Sequence, residues 1–158
     1  MAVFVGHPPK LAQISLPVFL SMLLFRAATA KDVQPILDLW AESRSDHAET
    51  PDSAEAIHRL LDTDPGSLLI AEDGDLVGAV IAAFDGWRGN MYRLAVRPDR
   101  RREGIAIGLV QHGEARLRAL GAPKATALVG RGDTQAEQLW RAAGYRDDVK
   151  IGRWVRSL

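Results

Sequence analysis

The apolar residues of this chain recur at two different spacings. Spacings of three and four residues mark helices that bury one face, whereas short apolar runs between turn residues mark strands. The first helix shows the helical spacing, with apolar side chains at Val33, Ile36, Leu37 and Trp40. Thr29 is a good N-cap for this helix, and Asp32 stands at the third helical position, where a carboxylate favours a helix start.

Along the whole chain the pattern predicts the order β, α, α, β, β, β, α, β, α, β. The predicted strands cover residues 23–27, 67–71, 76–84, 90–96, 124–129 and 145–155. Helices are predicted after Thr29, after Ser53, between the fourth and fifth strands, and after Asp133. Hairpins in the middle of the chain and crossover helices later in it predict an α/β fold, whose mixed sheet is covered by helices on both faces.

Residues 1–21 differ from the rest of the chain, with three prolines and an apolar run that begins at residue 16. Lys10 before the run and Ala28-Thr29-Ala30 after it can be read as a secretory signal with a cleavage site. Cleavage there would remove the predicted first strand, so we expect an N-terminal extension followed by one domain, residues 22–158. The uninterrupted apolar length is about half of the roughly 20 residues that a membrane span needs.

The loop after the fourth predicted strand has the composition of a pyrophosphate-binding loop. Arg100, Arg101 and Arg102 supply positive charge, and the small residues Gly104 and Ala106 follow where a helix begins. The first N–H groups of a helix have no helical partner and carry partial positive charge, so small residues there let an anion approach. Neither a Walker A loop nor a dinucleotide fingerprint is present. The plainer alternatives are a solvated arginine run and a glycine that only spaces the helix start.

Composition narrows the function classes. Among 158 residues, 20 Lys and Arg balance 20 Asp and Glu, so the net charge argues against a dedicated nucleic-acid binder. The chain has no cysteine, which excludes disulfides, thiolate metal sites and a cysteine nucleophile, and is compatible with a cytoplasmic protein. The four histidines show no metal-ligand spacing, so we expect no metal.

The pattern Arg101-x-x-Gly104-x-Ala106 resembles the acetyl-CoA loop of the GCN5-related N-acetyltransferases, the GNAT superfamily. The predicted element order is also that of the superfamily, over about residues 22–155. Further matches are Leu94-Ala95-Val96-x-Pro98, Gly121-Ala122-Pro123, Asp133-x-x-Ala136 and the segment 139–145. Residues 85–89 and Pro123-Lys124 are similar to those of the small YpeA-type acetyltransferases.

The resemblance implies a mostly antiparallel sheet whose fourth and fifth strands splay around the pantetheine arm of acetyl-CoA. An acetyl group would pass to a primary amine by direct attack in a ternary complex, in a monomer or homodimer. The amine would enter past the loop 43–52 and the turn 84–90, where Tyr92 and Trp87 either line the acceptor cleft or pack against the sheet. The cofactor-binding residues implied are Leu94, Ala95, Val96, Arg101, Arg102, Glu103, Gly104, Ile105, Ala106, Asp133, Ala136 and Trp140.

The chain departs from the family pattern at two positions. Trp140 stands where many members have a general-acid tyrosine, and an indole N–H cannot play that part. Asp133 replaces a common asparagine. The strand before the loop offers no carboxylate, so a base would come from Asp85, Asp46, Glu49 or His47. We therefore expect a low-pKa amine as acceptor, with a non-catalytic acyl-CoA-binding or sensor module as the alternative function.

Overall fold

A computed structural model describes residues 22–43 and 50–157 of the chain. The predicted N-terminal extension lies outside the described residues. The base candidates Asp46, His47 and Glu49 lie outside them as well.

The described residues form one five-stranded sheet in the order β1-β2-β3-β4-β5. The first three strand pairs are antiparallel, and β4 and β5 are parallel, so the sheet is mixed and mostly antiparallel as predicted. The strands are β1 Leu24–Ala27, β2 Leu68–Asp73, β3 Asp75–Phe84, β4 Gly89–Val96 and β5 Ala125–Ala127. The parallel pairing of β4 with β5 requires a crossover, which a helix supplies.

The helices are α1 Val33–Ser43, α2 Ala54–Thr63, α3 Ile105–Ala119 and α4 Thr134–Ala142, with short 3-10 turns at Ala30–Asp32 and Pro98–Arg100. Two of the predicted helix starts, after Ser53 and after Asp133, are confirmed, and each of these residues is an N-cap. The Ser53 side chain accepts a hydrogen bond from the backbone N–H of Ala56, and Asp133 accepts one from Ala136. Each cap satisfies a donor that the first turn of its helix leaves free.

Helices cover both faces of the sheet. Ile36 of α1 and Ile57 of α2 pack with Leu68 in one core, and Leu109 of α3 and Trp140 of α4 lie in the core on the opposite face. Burial of apolar area in these two layers supplies the main stabilisation of the fold.

Helix α3 lies unusually close to β4. A Cβ atom added at Gly113 would lie 2.9 Å from Cε of Met91, so only glycine permits this approach without a shift. The same point would lie 3.1 Å from the Cβ atom of Ala82 on β3, so α3 packs closely across β3 and β4.

The predicted final strand over residues 145–155 is wrong. The structure assigns no strand to described residues after Ala127, and the backbone turns where Ile151 N–H donates to the Asp148 carbonyl. Val149, Ile151 and Val155 are 84%, 70% and 64% exposed, so their apolar alternation is not matched by a buried face. A strand requires a neighbour to complete its hydrogen bonds, and apolar alternation alone does not provide one. The predicted strand 124–129 is likewise shorter in the structure.

Candidate functional site

The central feature of the site is an open edge of β4. Strand β4 pairs with β5 only at Gly89, Asn90 and Met91. Its pairing with β3 continues as far as Val96. Among the described residues, no strand therefore runs beside residues 92–96 on the β5 side. The predicted cofactor-binding residues Leu94, Ala95 and Val96 lie on this stretch, where backbone groups can pair with an extended ligand.

A β-bulge reshapes β4 where this edge opens. Ala95 lies opposite Ala79 and Tyr92 lies opposite Ile81, so Arg93 and Leu94 together face one residue of β3. Arg93 adopts a positive φ of 54°. A bulge bends its strand and increases the local twist, so the edge turns away from β5 as β4 continues.

The loop between β4 and α3 has the backbone of an anion-binding site. Arg102 and Gly104 have positive φ angles of 64° and 80°, and Gly104 is the N-cap of α3. No side chain caps this helix, and a Cβ added at Gly104 would meet no heavy atom within 4 Å. A backbone of this kind can direct successive N–H groups towards one point, an arrangement called a nest, and the helix dipole adds positive potential at the start of α3. Buried Ile105 anchors the first turn, and Ala106 follows half-buried.

The three arginines of the loop have different roles. Arg100 forms ion pairs with Asp73 at 2.8 Å and with Glu103 at 2.9 Å, so its charge ties the loop to the β2–β3 hairpin. Arg101 and Arg102 are exposed, and the described part of the chain gives neither of them an ion pair. Two positive charges, rather than three, remain for an anion at the nest.

Helix α4 lies on the α3 face of the sheet. Asp133 is occupied as its N-cap, 3.0 Å from the Ala136 nitrogen. Trp140 is only 7% exposed and packs edge-on against Tyr145, with ring centroids 4.8 Å apart. Burial, with the nearby Glu114 carboxylate, raises the pKa of Tyr145. A buried indole thus fills the position where the family resemblance expected a general acid.

The predicted base Asp85 is hydrogen-bonded within the turn before β4. Its carboxylate accepts hydrogen bonds from the backbone N–H groups of Trp87 and Arg88 at 2.8 and 2.6 Å. These bonds lower the pKa of Asp85 and make it a weaker base. Five residues of strand separate this turn from Leu94, a distance of about 17 Å. Asp85 is therefore placed to stabilise the turn rather than to reach the open edge.

The aromatic residues near the turn differ in exposure. Trp87 is 80% exposed and does not pack against the sheet, and Tyr92 is 36% exposed. Burial raises the pKa of Tyr92, so its phenol stays protonated at neutral pH. Within the two described ranges, no three His, Asp or Glu side chains are grouped to hold a metal ion. Each of the described helices is too short or too polar to span a lipid bilayer.

One residue of the site was not predicted from the sequence. Arg93 reaches from the β4 bulge to Asp52, with 2.9 Å between guanidinium nitrogen and carboxylate oxygen. The sequence signal was a charged residue directly before the apolar end of a strand. The bulge that directs Arg93 depends on pairing with β3, which no local pattern encodes.

Comparison with known proteins agrees with this geometry. A model of the Acetyltransferase (GNAT) family matches residues 33–145. An acetyltransferase of Pectobacterium atrosepticum is 39% identical over 126 residues, which are 77% of this chain and 88% of the relative. An acetyltransferase of Sodalis glossinidius is 39% identical over 107 residues, which are 66% of this chain and 73% of the relative.

Solved structures show the same fold. An aminoglycoside acetyltransferase from an uncultured soil metagenomic sample superposes with a TM-score of 0.68 at 17% identity, covering 86% of this chain and 96% of its own. A ribosomal-protein-alanine N-acetyltransferase from Brucella melitensis gives a TM-score of 0.66 at 23% identity, covering 77% of this chain and 83% of its own. The match of the family model over most of the chain, together with the Pectobacterium relative, shows that the chain belongs to the GNAT acetyltransferase family.

Proposed function

We propose that this protein is an acetyl-CoA-dependent N-acetyltransferase that moves an acetyl group to a primary amine by direct attack in a ternary complex. The observation that carries the proposal is the continuity of two features. The open edge of β4 continues through a short loop to the uncapped start of α3, beside which lie Arg101 and Arg102, two arginines with no ion pair among the described residues. A ligand with an extended chain that ends in a pyrophosphate fits such a path. The open strand edge can bind the extended chain, and the start of a helix can bind the pyrophosphate.

The residues that would hold acetyl-CoA follow from this path. Along Leu94, Ala95 and Val96, the backbone groups that point away from β3 would pair with the pantetheine arm; at Val96 the carbonyl already accepts from Ser43, so its N–H is the group left for the ligand. The pyrophosphate would lie at the nest, where Arg101 and Arg102 add charge. The other residues at the nest are Glu103, Gly104, Ile105 and Ala106. On the α4 side, Asp133 and Ala136 would border the cofactor, and buried Trp140 would support them from beneath.

The reaction joins the amine nitrogen to the thioester carbonyl carbon and breaks the carbon–sulfur bond, with the proton of the amine leaving to solvent. A lysine-like amine requires about 4.6 kcal/mol for deprotonation at pH 7, whereas an α-amine near pKa 8 requires only about 1 to 1.4 kcal/mol. Thiolate departure is disfavoured by only about 2 kcal/mol at this pH. The small cost of thiolate departure supports turnover without a general acid at position 140.

These energies favour an acceptor of low pKa. Asp85 is occupied in its turn, and Tyr92 stays protonated. With no strong base among the described residues of the site, an α-amine of a peptide or protein is the acceptor class that the site can use most readily. Its neutral fraction at pH 7 is already about a tenth, given a pKa near 8.

Release of the free thiol from acetyl-CoA tests this function. We expect thiol release with a peptide that begins with alanine, and much less with the same peptide blocked at its N-terminus but carrying a lysine. The pH–rate profile should level off near pH 8, the pKa range of the α-amine. A rate that instead tracks a pKa near 10 would contradict the α-amine assignment.

One observation favours a second candidate function. The buried Trp140 at the usual position of the general acid is compatible with a module that binds acyl-CoA and does not turn it over. Such a module would bind acetyl-CoA in calorimetry but release no thiol with any amine. The two functions therefore share the cofactor site and differ in thiol release.

A further inference from the structure

Only two residues other than glycine have positive φ angles in the described part of the chain. Arg102 (φ 64°) lies in the loop before α3, and Arg93 (φ 54°) lies in the bulge of β4. They flank the path proposed for acetyl-CoA. A non-glycine residue in this conformation is strained, and the strain persists only where the surroundings hold the residue in place.

Three residues lie around the Arg93 guanidinium group. One guanidinium nitrogen lies 2.9 Å from the Asp52 carboxylate and also donates to the Thr50 carbonyl. The guanidinium carbon lies 6.0 Å from the ring centroid of buried Trp40. The Arg93 and Asp52 side chains are only 20% and 14% exposed, so water screens this pair less than a surface pair.

These contacts join the bulge to the start of α2. Asp52 directly precedes Ser53, the N-cap of α2. A second tie lies nearby, where the hydroxyl of Ser43, the last residue of α1, donates to the Val96 carbonyl at 3.2 Å. The end of α1 and the start of α2 are thus both attached to the open stretch of β4, and the charged tie at Arg93 is the stronger of the two.

The pair also sets the charge beside the bulge. An amine that approaches as an ammonium ion would be repelled by an isolated guanidinium group nearby. Asp52 cancels that charge while it fixes the position of the side chain. The pair therefore gives the α1–α2 side of β4 a defined shape without a net positive charge.

We propose that Arg93 is a positioning residue: its ion pair with Asp52 holds the start of α2 against the β4 bulge, and this sets the acceptor side of the acetyl-transfer site. The inference rests on the proposed function, because the acceptor side exists only if β4 holds acetyl-CoA. It predicts that loss of Arg93 weakens binding of the amine rather than of the cofactor.

The test compares Arg93→Met with Arg59→Met in the full chain. Arg59 is a matched control, because it pairs with Glu55 on α2 at 2.6 Å but both side chains are exposed. Calorimetry gives the Kd of acetyl-CoA, and thiol release gives the KM of a peptide that begins with alanine. We expect Arg93→Met to raise the peptide KM about tenfold while the Kd of acetyl-CoA changes less than about threefold. Arg59→Met should change neither, and Arg93→Lys should lie between Arg93→Met and the unchanged protein.

An effect of Arg93→Met that matched Arg59→Met, or that weakened acetyl-CoA and peptide equally, would overturn the positioning role. A double variant, Arg93→Met with Asp52→Asn, adds a check. If the two residues act as one unit, the double variant should be little worse than either single variant. If the effects of the two single variants added fully in the double variant, the proposal that Arg93 and Asp52 position α2 as a pair would be contradicted.

Hydrogen exchange gives a second readout that needs no acceptor. With acetyl-CoA bound, amides in the first turns of α2 should exchange about tenfold faster in Arg93→Met than in Arg59→Met. Equal exchange in the two variants would overturn the proposal even if no peptide is acetylated. Failure of the unchanged protein to bind acetyl-CoA would instead contradict the proposed function, so the two failures are distinguishable.

Discussion

Arg93 and Arg102 have the same side chain and the same unusual backbone conformation, but opposite environments. Arg93 is one-fifth exposed and paired with Asp52. Arg102 is exposed, and the described residues offer it no ion pair. The difference teaches that a guanidinium group held by the protein shapes a site, whereas one left facing solvent is available to a ligand.

The largest expected effect comes from removing the ion pair of Arg93 with Asp52. Arg93→Met leaves Asp52 partly buried without its partner, and loss of one member of a partly buried ion pair costs about 2 to 3 kcal/mol, between the values for exposed and fully buried pairs. Urea unfolding should show this as a lower midpoint at unchanged slope. Arg59→Met, which removes an exposed pair, should change the free energy of unfolding by less than about 0.5 kcal/mol. Equal losses of unfolding free energy in the two variants would contradict the expectation that the less exposed ion pair stabilises the protein more.

A second paired arginine, Arg26, allows the stabilisation by an ion pair to be measured as a function of pH. Arg26 lies 2.8 Å from Asp32, which is 8% exposed, and this hydrogen-bonded pair lowers the pKa of Asp32 to about 2. Because the folded pKa lies below the unfolded value, the stabilisation is present above about pH 4 and is lost as pH falls towards 2. We expect Asp32 to contribute about 2 kcal/mol at pH 7.

Acid titration of stability checks this expectation. Asp32→Asn should flatten the loss of unfolding free energy between about pH 5 and pH 2. Asp99→Asn is the control, since Asp99 pairs with Arg97 but is 61% exposed. If Asp99→Asn flattened the acid limb as much as Asp32→Asn, the pairing at Asp32 would not be the source of the effect.

The smallest expected effect concerns Arg102, which has no ion pair among the described residues. Arg102→Gly relieves a positive φ without breaking an ion pair among the described residues, so it should stabilise the protein by about 1 kcal/mol. The same variant removes a charge from the proposed pyrophosphate site and should weaken acetyl-CoA about fivefold to tenfold in calorimetry. Unchanged affinity would remove Arg102 from the site while leaving the account of Arg93 intact.

Local signals in the sequence were sufficient for the helices and for the loop before α3. The caps Ser53 and Asp133 lie one residue before the helices they begin. Gly104 marks the start of α3 because a positive φ and an uncapped helix favour glycine. These features depend on a few neighbouring residues, so a single sequence encodes them.

Features that depend on distant partners were not predictable. The apolar alternation after Gly144 suggested a strand, but no described strand pairs with it. The sequence pattern grouped Arg100 with Arg101 and Arg102 as charges for an anion. In the structure, Arg100 donates a hydrogen bond to Asp73, which lies 27 residues earlier in the chain. The bulge at Arg93 follows from the register between β3 and β4. Each of these depends on the tertiary arrangement, which spacing along the chain does not specify.

Thermal unfolding with and without acetyl-CoA tests the central claim most directly. At a hundredfold excess over its Kd, the ligand should add about 2.7 kcal/mol, a rise in Tm of roughly 5 to 10 °C for a chain of this size. Gly104→Glu should abolish the rise, because a carboxylate at the start of α3 would repel the pyrophosphate. Gly104→Ala, which shares the positive φ without the charge, should keep most of it. No rise in the unchanged protein, or an equal rise in Gly104→Glu, would contradict the proposal that the start of α3 holds the pyrophosphate of acetyl-CoA.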